Sequence, residues 1–82
     1  MQDKQYTIVC AFDSGVKVWY IADSDVPGLS LEATSKRDML RRIRDAVPEL
    51  LELNSHLAPD QIERAPVELL WTGTSQRLKL KA

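Results

Sequence analysis

Only one stretch of this chain has the period of an amphipathic helix, and that fact limits the architecture more than any other. Met39, Leu40, Ile43, Val47, Leu50 and Leu51 recur at helical spacing and form a single apolar stripe. The remaining apolar segments read as strands. QYTIVCAFD (5–13) alternates and is rich in strand formers, and VKVWYIAD (16–23) follows it. LSLEA (29–33) is a short third strand and VELLWTGT (67–74) a fourth. One helix shelters one side of a sheet. The expected fold is therefore α+β: a β-β-β-α-β antiparallel sheet with one main helix on one face. The other face receives no cover from the chain.

Local signals set the boundaries. Pro27-Gly28 breaks the chain as a structural turn before the third strand. Ser35 stands at capping-box spacing from Asp38, so its hydroxyl can accept from an unpaired amide of the first helical turn. Pro48 interrupts the helical stripe. It lacks an N–H and crowds the carbonyl four residues back, a cost of about 3 kcal/mol in a regular helix. This predicts a kink or a restart, with Pro48 in the first turn of a second segment. HLAPDQIERAP (56–66) is a polar connector with one helical turn after Asp60, and SQRLKLKA (75–82) is an edge strand or a tail. Residues 1–82 make one domain, without a separate DNA-binding domain.

The first hairpin decides which side chains face the helix. A three-residue loop of Asp13, Ser14 and Gly15, with Gly15 in the left-handed position, pairs Phe12 with Val16, Cys10 with Val18 and Ile8 with Tyr20. It collects Tyr6, Ile8, Cys10, Phe12, Val16, Val18, Tyr20 and Ala22 on one face. Val9, Lys17, Trp19 and Ile21 then fall on the uncovered face, and Trp71 fits either side. These four are the candidate interface for a partner or for self-association, since that much apolar surface is uncomfortable in a monomer. A two-residue Ser14-Gly15 loop would mix the two sets and place Trp19 in the core.

Composition excludes several classes. A chain of 82 residues buries only about 60% of its unfolded surface, so its core is thin. The net charge of −1 lacks the basic excess of a dedicated nucleic-acid module. The single cysteine, Cys10, sits in an apolar strand and fits a reducing, cytoplasmic setting. No leader pattern or membrane-length apolar run is present, so no membrane association is expected. Asp13, Asp23, Asp25 and Glu32 sit near strand ends, but Asp13 lies at the far end of the hairpin from Asp23 and Asp25. They read as turn and capping acids rather than a metal-ion cluster. His56 follows Asn54 and Ser55 at a helix end, with no paired nucleophile in view. No phosphate loop or catalytic motif appears, so neither enzymatic activity nor a cofactor is expected.

Charge is patterned although its sum is small. Residues 36–45 hold Lys36, Arg37, Arg41, Arg42 and Arg44 against Asp38 and Asp45. Residues 49–63 hold Glu49, Glu52, Asp60 and Glu63 without a base, and Arg77, Lys79 and Lys81 mark the tail. The plain reading is a solvated helix face; the functional one is a charged rim of Lys36, Arg37, Arg41 and Arg44 that steers a partner. RNA binding through these four lacks the stacking aromatics that such sites interleave with their bases.

The hairpin, Trp19, the run ADSDVPGLSLEATS and a helix carrying VPELLELN together resemble the HicB-like antitoxin family. The similarity is closest to its short stand-alone branch, domain of unknown function 1902, and spans roughly residues 5–55. The Ser24–Leu29 step followed by Glu32–Thr34 is specific as a combination. The resemblance implies a partly degraded RNase H-like fold. It also implies a partner, a small basic HicA-like mRNA-cleaving toxin whose active site the antitoxin covers. A homo-oligomer is expected, with a dimer favoured. Family members that bind operators carry an added C-terminal module; with about eight residues after the fourth strand, direct DNA binding is not expected here. The alternative is a stand-alone homo-oligomeric α+β domain without a toxin, binding RNA or a small ligand.

Overall fold

The computed structural model describes residues 5–71, 74–78 and 80. The helix stripe organises them. α1 (Lys36–Ser55) buries Met39, Ile43, Val47 and Leu51 completely. The stripe lies on one face of a sheet made from β1 (Tyr6–Asp13), β2 (Val18–Ser24), β3 (Glu32–Ala33), β4 (Val67–Trp71) and β5 (Thr74–Leu78). A second helix, α2 (Pro59–Arg64), packs beside α1 and adds Ile62 to the same core. Tyr6, Ile8 and Cys10 of β1 and Val67, Leu69 and Trp71 of β4 supply the sheet side of that core.

The sheet order is β3-β2-β1-β4-β5. β1 pairs antiparallel with β2 but parallel with β4, so the sheet is mixed rather than antiparallel as the sequence led us to expect. The cause is the crossover. β3 runs in the direction of β1, α1 carries the chain back along the sheet, and β4 sets out again in the direction of β1. The C-terminal segment is an edge strand: β5 pairs antiparallel with β4, and Leu78 and Leu80 are both buried in this chain's core. Lys79 and Lys81 lie outside the described residues.

The hairpin register differs from the expected one. The loop has four residues, Ser14 to Lys17, between Asp13 and Val18. The Asp13 carboxylate accepts from the Gly15 N–H at 2.9 Å, and the Lys17 N–H donates to the Asp13 carbonyl at 2.7 Å. The left-handed residue is Lys17, at φ 59°, not Gly15. Phe12 therefore opposes Trp19, and Cys10 opposes Ile21. A bulge at Ala22 then shifts the pairing, so that Val9 opposes Asp23. An odd shift turns the alternate side chains of β2 over. Trp19 and Ile21 lie on the helix side, packed against the core, and Val18 and Tyr20 take the other side. The physical reason is area: an indole and an isoleucine bury more apolar surface under the helix than a valine and a tyrosine with its hydroxyl.

The Pro27-Gly28 turn is closed by the Leu29 N–H on the Val26 carbonyl at 3.3 Å, with Gly28 at φ 82°. This is a type II turn with Pro and Gly at its two central positions. Asn54 Nδ2 donates to the Pro27 carbonyl at 3.2 Å and ties the turn to the last turns of α1. Asp25 continues the ladder where β2 leaves β1. Its N–H donates to the Thr7 carbonyl at 2.9 Å, and its carboxylate accepts from the Thr7 N–H at 3.0 Å.

α1 neither stops nor restarts at Pro48; it runs unbroken to Ser55 with Pro48 inside it. Val47 and Leu51, on either side of the proline, are both wholly buried, and their packing offsets the missing hydrogen bond. The helix ends on His56, which adopts φ 56° and donates its N–H to the Leu51 carbonyl. A residue with a Cβ is strained in this conformation by about 1–2 kcal/mol. His56→Gly is expected to stabilise the protein by about 1 kcal/mol, raising Tm by roughly 4–8 °C in a thermal melt.

Candidate functional site

Strand alternation fixes what the uncovered face presents. The register groups Thr7, Val9 and Ala11 of β1 with Val18 and Tyr20 of β2, Glu32 of β3, and Glu68 and Leu70 of β4. Val9, Ala11, Val18 and Leu70 are half-buried, and Tyr20 is 38% exposed. Among the described residues no helix packs on this side.

Four acids share the face. Asp23 opposes Val9, Glu32 opposes Tyr20, Glu68 sits beside Thr7, and Asp13 follows Ala11 on the same side of β1. β1 to β4 carry no base on this side, and β5 places Arg77 at the register position next to Glu68. A recess of about 380 Å³, lined by Tyr20, Ile21, Ser30, Leu31 and Glu32, extends the face at its β3 edge. The acids are spread along the face rather than gathered. Among the described residues, no group of three His, Cys, Asp or Glu side chains is placed to hold a metal ion.

Of the four candidate interface residues, Val9 lies on the open face. Trp19 and Ile21 do not: the register turns them toward α1. Lys17 occupies the left-handed position of the hairpin turn. Val18 and Tyr20, which do lie on the open face, are missed by the sequence reading because its register places both in the core. Trp19 instead belongs to an aromatic group. Its ring lies 5.2 Å from Phe12 and meets Trp71 edge-on at 5.4 Å and 89°. Trp71 is buried, and the Lys36 ammonium sits 5.2 Å from the Trp19 centroid and 5.4 Å from that of Trp71. The charged-rim residues Lys36, Arg37, Arg41 and Arg44 are exposed along α1.

Asp38 divides that basic stretch. Its N–H donates to the Ser35 hydroxyl at 3.1 Å, and its carboxylate pairs with Arg41 at 2.5 Å and Arg42 at 3.0 Å. Hydrogen bonds from Arg41 and then Arg42 hold its carboxyl below the usual carboxylate range. A lowered folded-state pKa means that the stabilisation is present above the unfolded value and lost as pH falls through the folded one. The stability difference between the protein and Asp38→Asn should be constant above about pH 5 and shrink below about pH 4, as followed by urea melts.

Burial pushes the Cys10 thiol up to about 11. At pH 8 its thiolate fraction is then roughly a hundredfold below that of a free cysteine. Alkylation with iodoacetamide should be at least that much slower in native protein than in urea, with the native rate tracking global opening.

Residues 5–81 match the family described as domain of unknown function (DUF1902). The chain is also similar in structure to the hypothetical protein TTHA1013 from the extremely thermophilic bacterium Thermus thermophilus. The two are 32% identical, with a TM-score of 0.63, over 83% of this chain and 89% of that one. No curated protein matches the chain. Among the described residues, no helix is long and apolar enough to cross a membrane.

Proposed function

We propose, from the premise that the chain belongs to the DUF1902 family, that it is a non-enzymatic, protein-binding domain of HicB-like antitoxin type. It neutralises a small, basic, HicA-like RNA-cleaving toxin by laying its open sheet face over the toxin's active site. One observation carries this reading: the sheet face on which no helix packs among the described residues is apolar at its centre and, on β1 to β4, bears acids and no base. Val9, Ala11, Val18, Tyr20 and Leu70 supply contact area, and Asp13, Asp23, Glu32 and Glu68 supply charge. An apolar centre within a polar rim is the usual anatomy of a specific interface. The acids speed encounter with a basic protein and disfavour anionic competitors.

The same charge bears on self-association. Two copies packed face to face would set acids against acids, so this face serves the basic partner, and a homodimer would use another surface. The partly degraded RNase H-like reading of the fold belongs to this proposal as well. The parallel β1–β4 step, bridged by α1 within an otherwise antiparallel sheet, supports it.

The test is inhibition of RNA cleavage by the small basic toxin encoded beside this chain. Val9→Lys and Leu70→Lys should each weaken inhibition by about tenfold or more while Tm stays near that of the parent. Leu53→Lys, on a helix position that is 70% exposed and far from the open face, should inhibit normally. Equal inhibition by all three variants overturns the reading. An adjacent gene that encodes no RNA-cleaving protein does the same, and leaves a stand-alone domain.

A further inference from the structure

The aromatic group and the basic half of α1 meet on the side of the molecule away from the acidic face. Phe12 shares the covered side of β1 with Cys10, yet it is 44% exposed where Cys10 is 1% exposed. Its ring rests against Trp19, Trp19 rests edge-on against Trp71, and Trp71 is anchored in the core. An exposed ring backed in this way is held in place before any ligand arrives, so little freedom is lost on binding.

One cation is placed against the aromatic group. The Lys36 ammonium lies against the same indole as Phe12. Beyond it on α1 come Arg37, Arg41, Arg42 and Arg44. Asp38 neutralises Arg41 and Arg42, and Asp45 also approaches Arg41, at 3.9 Å. Among the described residues, Lys36, Arg37 and Arg44 have no carboxylate partner. Asp13, next to Phe12, points to the opposite face.

From this we infer a second site, for single-stranded nucleic acid: Phe12 stacks a base, and Lys36, Arg37 and Arg44 hold neighbouring phosphates. Every base has a π-face, and a duplex hides its faces in the stack, so an exposed ring beside a helix that carries unpaired cations favours a single strand. An acidic peptide would use the cations and ignore the ring. This site is independent of the protein-binding reading, because none of its residues lies on the open face.

The experiment is fluorescence anisotropy of a labelled ten-nucleotide oligouridylate, titrated with the full chain from 50 to 300 mM salt. Three phosphate contacts predict a log–log salt slope of about −2. Phe12→Ala should weaken binding by at least about fivefold, and Phe12→Tyr, which keeps the ring, should restore it. Arg44→Gln should weaken binding and flatten the slope. Val9→Lys should leave binding unchanged or modestly tighter, which separates this site from the open face. Thermal melts of each variant exclude unfolding. No binding at 50 mM salt overturns the site, as does binding that Phe12→Ala leaves intact or a duplex of equal length that binds as tightly.

Discussion

Everything in this molecule hangs on the burial of one helix stripe against one side of one sheet. Met39, Ile43, Val47 and Leu51 have no exposed surface, and they meet Ile8 and Leu69, which have none either. Each buried aliphatic side chain of this kind contributes about 1.5–3 kcal/mol. That contact carries α1 across Pro48, and it presses Trp19 rather than Tyr20 toward the core. Because the chain has no second long helix among the described residues, the same contact leaves the reverse of the sheet open.

Two short structures then determine what each side presents. The Ser14–Lys17 loop sets the parity of β2, and the bulge at Ala22 resets it near the strand's end. Asp25 and Asn54 tie down the turn that follows, one by extending the β1 ladder and the other by gripping the Pro27 carbonyl. Two of the acids that the sequence reads as turn and capping residues act as such: Asp13 in the hairpin loop and Asp25 at this corner both accept backbone N–H groups. Asp23 and Glu32 project from the open face, where their charge sets the kind of neighbour that fits.

A net charge of −1 hides a separation. The open sheet face is acidic, and the first half of α1 is basic. The two regions keep separate fields, because screening in salt limits each to roughly 8–10 Å. Composition averages over the whole surface and could not reveal this. The aromatic group beside Lys36 also escaped a local reading of residues 36–45, since Trp19 and Trp71 come from other elements and reach Lys36 only through the fold.

By itself, the sequence determined what depends on neighbours a few residues apart. The main helix and its Ser35 cap, the existence of the first four strands though not their bounds, and the Pro27-Gly28 turn follow from local period and backbone preference. Tertiary structure decided what depends on choices between near-equal local alternatives. A hairpin loop of three or four residues costs nearly the same in isolation, yet one residue of slip exchanges the two faces of β2, and burial of the indole under α1 settles it. Likewise, alternation cannot say whether β4 pairs with β1 in parallel, because that depends on where α1 delivers the chain. Leu78 and Leu80 read as edge or tail until a core was there to receive them.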